Sequence, residues 1–222
     1  MIPLRDTQPS YTTPVVTIGL IVVNVAIFFF EILLDEFSRN ELFAVYGIVP
    51  ARFHVETLAT SMFLHGGWMH LIGNMWFLWI YGDNVEDVLG RNKYLLFYLA
   101  CGAVAGLTHL VFNSGSRVPT IGASGAIAGV MGAYMAKFPH SRILTLVPLF
   151  IFITTIEIPA VFILAYWFIL QIFSGVGEIG YSNLSKGGVA WWAHAGGFVA
   201  GYLLIRVMRT RERYGHRPDL HW

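Results

Sequence analysis

Long apolar stretches alternate with short polar ones along the whole chain. A helix that crosses a membrane needs about 20 predominantly apolar residues, and fewer when it is short or enters only part of the bilayer. By this measure the pattern predicts six membrane-spanning helices, and therefore an all-α polytopic membrane protein built as a six-helix bundle. The predicted spans are residues 15–34, 68–81, 94–112, 124–138, 159–173 and 189–207.

The apolar run over residues 143–173 is ambiguous, because it is long enough for two crossings and is interrupted only by Glu157. Pro159 favours a single crossing, since proline suits the first turn of a helix and disfavours helix in the residue before it. Glu157 would also lie favourably near a helix N-terminus. We therefore predict that residues 144–157 form an interfacial segment leading into the fifth span.

The distribution of Lys and Arg predicts the orientation of the chain in the membrane. With the N-terminus in the cytoplasm, ten of the 14 Lys and Arg residues fall on the cytoplasmic side and four on the outer side. This bias predicts that both termini are cytoplasmic. Residues 1–222 then form one membrane domain, with a cytoplasmic N-terminal segment (1–14), a large external loop (35–67) and a basic cytoplasmic tail (208–222).

The composition excludes several kinds of chemistry. Only 12% of the residues are charged and 56% are hydrophobic, whereas a soluble domain usually has about 25% charged residues. The net charge of +1 gives no indication of a nucleic-acid partner. Cys101 is the only cysteine, so neither an internal disulfide nor a multi-thiolate metal site can form. The zinc-protease motif HExxH is absent and no aspartate lies within a span, so we expect no metal site and no aspartyl protease chemistry.

Four polar residues within the predicted spans are candidates for chemistry. Ionisable groups inside a membrane cost about 2.5–3.5 kcal/mol each on insertion scales, so each one is a functional candidate. His70 and Asn74 are four residues apart and share one face of the second span. Ser124 opens the fourth span, and His194 lies about one turn into the sixth. In the predicted topology all four fall at a similar depth near the outer face, and this agreement was not used to assign the topology.

This set of residues predicts nucleophilic catalysis by a serine and a histidine. A serine hydroxyl becomes a good nucleophile when a base takes its proton, and histidine is the usual base. No carboxylate is placed to orient His194, so we expect a dyad of Ser124 and His194 rather than a triad. Asn74, His70 and the backbone N–H of Ser124 are the expected donors to the oxyanion. Gly122 allows the tight turn that an exposed serine at a helix N-terminus needs.

A hydrogen bond between the serine and the histidine requires the fourth and sixth spans to lie very close together. Glycines at positions 122 and 125 flank Ser124, and each of the two spans carries a stripe of small residues. Such faces allow transmembrane helices to approach closely. The stripes are Ser124, Ala128 and Gly132 on the fourth span, next to Gly125, and His194, Gly197 and Gly201 on the sixth.

Each of these residues also has an ordinary structural explanation. Taken alone, a glycine-flanked serine in a span is most often a packing residue, and His194 beside two tryptophans suits a membrane interface. His70 and Asn74 would also serve as a polar clamp between helices. Their combination at one depth is what favours catalysis. His109 and Cys101 have no evident partner, and we interpret both as packing residues.

The same motifs resemble those of the rhomboid family of intramembrane serine proteases. They are HGGWMHLIGNMW around His70 and Asn74, GASG around Ser124 and AHAGGFVAG around His194, in the order typical of the family. The resemblance covers nearly the whole chain, from the opening MIPLRDTQP onward. It implies a six-helix fold, Ser124 as the nucleophile, His194 as the general base, and His70 with Asn74 as the oxyanion-stabilising pair. It also implies that the substrates are transmembrane proteins cleaved near the membrane surface, with no cofactor.

Two further stretches bear on this resemblance. Residues 81–90, with Gly82, Glu86 and Gly90, resemble a structural element at the cytoplasmic end of the second span. Many family members carry Trp-Arg in the first external loop, where this chain has Glu56 and Thr57. We therefore expect the packing of that loop to differ from that of other members.

Substrate entry is expected to occur sideways between helices, because the dyad lies below the membrane surface. The fifth span is the expected gate, with a cluster of aromatic side chains that includes Trp167. In this hypothesis the cluster meets Trp76 and Phe77 of the second span. Aromatic pairs contribute about 0.5–1.5 kcal/mol each beyond their buried area, so a contact of this size can open. Trp167 is therefore the predicted gating residue.

The sequence thus predicts an intramembrane serine endopeptidase, located in the cell membrane, that acts on transmembrane proteins within the lipid bilayer and has no nucleic-acid partner. One alternative is a catalytically inactive rhomboid-like protein that binds or escorts membrane clients. Such relatives typically lack the serine or the histidine, and this chain has both. The other alternative is a transporter or channel, which is disfavoured because the two halves of the chain are not similar.

Overall fold

The chain folds into a bundle of helices and a three-stranded β-sheet. A computed structural model describes residues 1–149, 152–179 and 190–211. The helices are α1 (Val15–Leu33), α2 (Glu36–Tyr46), α3 (Thr57–Thr60), α4 (Trp68–Leu89), α5 (Arg91–Phe112), α6 (Ser124–Lys137), α7 (Ala160–Ile179) and α8 (Trp191–Val207). The strands are β1 (Ile2–Asp6), β2 (Arg142–Leu149) and β3 (Phe152–Pro159).

The helices α1, α4, α5, α6, α7 and α8 coincide with the six predicted spans. Within the described residues, three helical stretches are long and apolar enough to cross a membrane by length and composition: Val15–Leu33, Arg91–Phe112 and Ala160–Gly177. The mostly helical architecture is therefore that expected of a polytopic membrane protein. That all six helices cross, and that both termini are cytoplasmic, stay predictions. Residue 189, where the sixth predicted span begins, and residues 212–222 of the predicted basic tail lie outside the described residues.

The predicted external loop, residues 35–67, contains the two short helices α2 and α3. Thr57, one of the two residues in place of the Trp-Arg pair, begins α3 and donates its hydroxyl hydrogen to the His54 carbonyl oxygen over 2.5 Å. The other residue, Glu56, is exposed and lies 3.8 Å from the imidazole of His54. The pair thus forms local contacts at the start of a short helix.

Exposed and buried side chains are distributed as in a protein surrounded by lipid. Phe30, Leu33 and Val111 point outward with 54%, 83% and 75% of their surface exposed. Asn24 and Glu86, by contrast, are buried between helices. Soluble proteins rarely expose large contiguous apolar patches, whereas in lipid it is the polar groups that must be satisfied inside the protein. The interior of the bundle is therefore where its polar side chains find partners.

The all-α prediction is wrong in one respect, because β1, β2 and β3 form an antiparallel sheet in that order. Of residues 144–157, predicted to be an interfacial segment, residues 144–149 belong to β2 and residues 152–157 to β3, and Arg142 pairs with Pro159; residues 150 and 151 lie outside the described residues. The two strands are rich in Ile and Thr, which favour strands. The third strand comes from the N-terminus, where Ile2 pairs with Leu146. Local patterning does not reveal this pairing, because the two strands are distant in sequence.

Side-chain hydrogen bonds hold β1 against two helices. Trp76 Nε1 on α4 donates to the Pro3 carbonyl oxygen over 2.7 Å, and the Tyr134 hydroxyl on α6 donates to the Asp6 carboxylate. Burial raises the pKa of Asp6 to about 6, because the carboxylate loses contact with water. The N-terminal strand is thus fixed to the bundle through a carboxyl group that titrates near neutral pH.

The helices α6 and α8 lie so close together that their backbones touch. A Cβ at Gly197 would overlap the Gly125 carbonyl oxygen, and a Cβ at Gly201 would overlap the Gly129 carbonyl oxygen. On α8 these are two residues of the predicted small-residue stripe. On α6 the approach runs through Gly125 and Gly129, next to the predicted stripe, and through Gly132 of that stripe, where a Cβ would overlap the Phe198 carbonyl oxygen. Glycine is required on both helices because no side chain fits between them.

At the opposite end of the bundle from Ser124, Glu86 on α4 caps the first helix. Its carboxylate accepts hydrogen bonds from the backbone N–H groups of Val16 and Thr17 (2.9 and 2.8 Å) and from the Thr17 hydroxyl (2.9 Å). The first N–H groups of a helix have no intrahelical partner and carry partial positive charge, so a carboxylate is favourable there. Gly90 then ends α4 with a φ of 76°, which suits glycine and lets the chain turn into α5.

We expect Gly201→Ala to lower the melting temperature of the purified protein. The added methyl group has no space against the Gly129 backbone, so α6 and α8 must separate. Overpacking of this kind typically costs about 1–3 kcal/mol. Gly73→Ala on α4 is the control, because nothing lies within 4 Å of a Cβ there. Equal melting temperatures for the two variants would contradict the close backbone contact.

We expect Asp6→Asn to stabilise the protein at pH 7.5 but not at pH 4. The folded state binds the Asp6 proton more tightly than the unfolded state, because its pKa is raised from 3.8 to about 6. The favourable contribution of the protonated form is therefore present below pH 3.8 and is lost as the pH rises through 6. Asn mimics the protonated form and keeps an acceptor for Tyr134. Thermal unfolding of both proteins across this range tests the prediction, which fails if their difference in melting temperature does not change with pH.

Candidate active site

Ser124 is the first residue of α6, and His194 is in the first turn of α8. The Ser124 Oγ atom lies 2.7 Å from His194 Nε2, which is hydrogen-bonding distance. Ser124 is half-buried, and only 9% of the His194 surface is exposed. The glycine contacts between α6 and α8 set the helix separation that this hydrogen bond needs. The structure thus brings together the two residues that the sequence pattern singled out.

The other ring nitrogen of His194 has a partner that the sequence analysis missed. His194 Nδ1 lies 2.8 Å from Gln171 Oε1 on α7. Gln171 is 5% exposed, and its Nε2 donates to the Trp167 carbonyl oxygen one turn earlier over 3.2 Å. We expected no carboxylate to orient the histidine, and the group in contact with its second nitrogen is an amide. The sequence does carry a signal for Gln171, because it is a polar amide within an otherwise apolar predicted span.

These contacts assign the proton on the imidazole ring. Because the Gln171 amide nitrogen donates to Trp167, the amide oxygen is the group that faces His194. The oxygen can only accept, so Nδ1 carries the hydrogen and Nε2 is free to accept the Ser124 hydroxyl hydrogen. This is the tautomer in which a histidine can act as a base toward serine.

Gly122, two residues before the serine, joins this pair to α4. It has a φ of 121°, a backbone conformation that strongly favours glycine. A Cβ at this position would lie 2.6 Å from His70 Nε2 and 3.7 Å from Asn74 Nδ2. The Gly122 N–H donates to the Ser61 carbonyl oxygen over 2.9 Å, which fixes the turn. The absence of a side chain at Gly122 therefore lets His70 and Asn74 reach the start of α6.

Asn74 and His70 present hydrogen-bond donors at this position. Asn74 is 7% exposed, and its Nδ2 is buried without a hydrogen-bond partner in the part of the chain that the structure describes. His70 Nδ1 accepts from the Gly66 N–H at 3.4 Å, which leaves the proton on Nε2, the nitrogen that faces Gly122. A buried donor without a partner is uncommon in folded proteins and needs an explanation. A negatively charged oxygen bound between these groups would supply one.

A buried glutamate supports the loop that leads to His70, and the sequence analysis did not single it out. Glu31 on α1 is fully buried, and its carboxylate accepts the backbone N–H of His65 at 3.2 and 3.3 Å. The His65 ring in turn lies edge-on to the His70 ring, with centroids 5.2 Å apart. The available signal was an acidic residue inside an otherwise apolar span.

His109, interpreted from the sequence as a packing residue without a partner, forms hydrogen bonds. Its Nε2 lies 2.8 Å from the Thr120 hydroxyl and its Nδ1 lies 3.3 Å from Asn113 Nδ2. Thr120 also exchanges two backbone hydrogen bonds with Ile48. His109 therefore helps to hold the segment that precedes Gly122 and Ser124. Cys101 is fully buried on α5, in keeping with a packing role.

Trp167 has different neighbours from those predicted. Its ring lies 5.7 Å from the His194 ring and 6.0 Å from the Phe198 ring, both on α8. Trp76, one of the residues expected to face it, bonds instead to the N-terminal strand through Pro3. The reason is that β1 lies against α4 at this point. A gating role for Trp167 stays a prediction, and its contact with His194 links it directly to the candidate site.

Taken together, these groups suit acyl transfer. The site has a hydroxyl with an adjacent base, a partner that orients the base, and donors around the start of a helix. Among the described residues, no group of three or more His, Cys, Asp or Glu side chains is arranged to hold a metal ion.

Comparison with known proteins points to one family. The Rhomboid domain family matches residues 52–211 of this chain. Rhomboid protease GluP of Bacillus subtilis is 42% identical over 78 residues, which is 35% of this chain and 15% of that protein.

Two mitochondrial proteins are also similar. The presenilin-associated rhomboid-like protein of Homo sapiens is 32% identical over 95 residues, covering 41% of this chain and 25% of that protein. Rhomboid protein 1 of Saccharomyces cerevisiae is 34% identical over 91 residues, covering 39% and 26%. The similarity therefore extends over only about a quarter or less of the length of these relatives.

We expect Glu31→Leu to lower the melting temperature, whereas Glu31→Gln should change it little. Leucine leaves the buried His65 N–H without an acceptor, and an unsatisfied buried donor costs about 1–3 kcal/mol. Glutamine keeps an oxygen in the same place. Glu41→Leu on the exposed surface of α2 controls for loss of charge. If the leucine and glutamine variants unfold at the same temperature, the hydrogen bond to His65 has no structural importance.

Proposed function

Because this chain belongs to the rhomboid family, we propose that it is an intramembrane serine endopeptidase that cleaves transmembrane segments with Ser124 and His194. The observation that carries this proposal is the 2.7 Å contact between Ser124 Oγ and His194 Nε2, with Nδ1 already engaged by Gln171. An isolated serine or histidine in the bundle would not have this geometry.

In the proposed mechanism, Ser124 Oγ attacks the carbonyl carbon of the scissile peptide bond while its proton moves to His194 Nε2. The carbonyl oxygen becomes an oxyanion, and in this mechanism the Asn74 amide, His70 Nε2–H and the Ser124 backbone N–H would bind it; the unpaired Asn74 Nδ2 supports this role. His194 then gives its proton to the departing amine, which leaves an acyl-enzyme on Ser124. Water, deprotonated by His194, hydrolyses this ester and restores the serine.

The proposed substrates are transmembrane proteins, and the proposed site of cleavage is near the outer face of the membrane. The apolar exterior of the bundle supports a location within lipid, since residues such as Phe162 and Phe173 on α7 are 66% and 71% exposed. The Lys and Arg distribution supports cytoplasmic termini, which would place Ser124 and His194 toward the outer face. We propose the cell membrane as the location, although two of the similar proteins are named as mitochondrial.

A chain that binds membrane clients without cleaving them is the alternative that an assay must distinguish. The bacterial relative is named a protease, whereas the human relative is named only as rhomboid-like. Both the candidate nucleophile and the candidate base are present and in contact in this chain. This contact favours an active enzyme over a binding protein.

We expect Ser124→Ala and His194→Ala each to reduce cleavage of a model transmembrane substrate to background in proteoliposomes. Without the hydroxyl there is no nucleophile, and without the imidazole nothing removes its proton. A fluorophosphonate probe should label the wild type at Ser124 and the histidine variant far more weakly. Ser10→Ala, at an exposed position, is the control and should behave as wild type. Binding of the substrate by the wild type with neither cleavage nor labelling would favour the client-binding alternative.

A further inference from the structure

Gln171 connects the proposed base to a helix that carries neither the nucleophile nor the oxyanion donors. Its Oε1 lies 2.8 Å from His194 Nδ1, and both side chains are at least nine-tenths buried. The remaining His194 nitrogen contacts Ser124. Three helices therefore meet at one imidazole ring: α6 through the serine, α8 through the histidine and α7 through the amide.

Two residues on one face of α7 contact the imidazole ring of His194. Trp167 and Gln171 are four residues apart, so both point toward α8. The Trp167 ring lies 5.7 Å from the His194 ring, and Phe168 stacks on Phe198 with ring centroids 4.8 Å apart. These aromatic contacts position α7 so that the Gln171 amide reaches His194.

The helix α7 packs against α8 in a different way from α6. Where α6 meets α8, glycines bring the two backbones together. In the described contacts, α7 meets α8 through large side chains, and its opposite face is apolar and exposed at residues such as Phe162 and Phe173. Side-chain contacts of this kind can be exchanged for contacts with lipid or with another apolar helix. A movement of α7 away from α8 would therefore separate the Gln171 amide from His194, while Ser124 on α6 stays in contact with the imidazole ring.

We propose that Gln171 is a positioning residue that holds His194 in the tautomer able to accept the Ser124 proton only while α7 is packed against α8. This inference rests on the proposed function of Ser124 and His194. With Gln171 in place, the hydrogen is on Nδ1 and Nε2 accepts. Without it, a neutral imidazole can carry its hydrogen on Nε2, and in that form it cannot take the serine proton.

The consequence is a coupling between the packing of α7 and reactivity. A transmembrane segment that displaced α7 on its way to Ser124 would meet a base without its orienting partner. Proton transfer becomes efficient when α7 returns and Gln171 again accepts the Nδ1 hydrogen. The Gln171 side chain would thus couple the position of α7 to the tautomer of His194.

The first test compares two substitutions of similar shape. Gln171→Met fills the space but has no strong acceptor, and Gln171→Glu keeps an oxygen at the same reach. For a model transmembrane substrate in proteoliposomes, the methionine variant should lose roughly 10-fold in kcat, because a buried donor is left unpaired, with KM unchanged. The glutamate variant should retain a larger kcat than the methionine variant. Leu170→Met, at the neighbouring exposed position, is the matched control and should leave both constants unchanged.

The second test is independent of activity. In ¹⁵N spectra of histidine-labelled protein, the His194 signals, assigned with His194→Ala, should show Nδ1 protonated in the wild type. In Gln171→Met the form protonated on Nε2 should increase. A spectrum unchanged by the substitution would overturn the inference. Absence of cleavage and probe labelling in the wild type would instead overturn the proposed function and leave this spectral comparison to decide the role of Gln171.

The third test addresses the link to α7. Trp167→Ala removes the ring that packs against His194 and Phe198, so α7 should leave α8 more often. Gln171→Met should therefore cost less in kcat in the Trp167→Ala background than in the wild type. Equal fold-losses in both backgrounds would show that Gln171 acts independently of the packing of α7, contrary to the proposal.

Discussion

The backbone contact between α6 and α8 is the constraint on which the rest of the structure depends. Gly125 and Gly129 face Gly197 and Gly201, and none of these positions has space for a side chain. At this separation, residues at the starts of both helices come within hydrogen-bonding distance, as Ser124 and His194 do. A side chain at Gly197 or Gly201 would push α6 and α8 apart, and a side chain at Gly125 or Gly129 would collide with Ala105 or Cys101 on α5. The glycines therefore serve both the packing of the helices and the contact between Ser124 and His194, so the two explanations of this motif are compatible.

The polar side chains inside the bundle connect elements that the chain separates widely. Glu86 caps the start of α1, Glu31 holds the loop before α4, and His109 holds the loop before α6. In a membrane no water competes for these groups, so each must find its partner within the protein. A few buried polar atoms have no partner among the described residues, and of these the Asn74 amide nitrogen also lies near Gly122, just before α6. An unsatisfied donor beside paired ones is consistent with a group reserved for a ligand or a reaction intermediate.

The helix α7 is distinguished by how it is joined to the bundle. It follows a β-hairpin whose partner strand comes from the N-terminus, and it meets α8 through aromatic side chains. Yet it supplies the amide that faces His194. If His194 is the base, as we propose, the Gln171 contact links the position of α7 to reactivity more directly than a gate that only admits substrate.

The sequence by itself determined where the six helices at the predicted spans form and which residues make up the candidate site. Apolar stretches predict where helices form, because the formation of these helices depends on local composition. The polar residues Ser124, His194, His70 and Asn74 were identified as candidates because polar groups in spans are rare. The glycine motif indicated a close contact for the same reason. Only the tertiary structure decided that residues 2–6 pair with β2, that Gln171 faces His194, and that Trp76 hydrogen-bonds to the N-terminal strand. These outcomes depend on which faces of distant segments meet, and the periodicity of a single segment carries no information about the partner it will find.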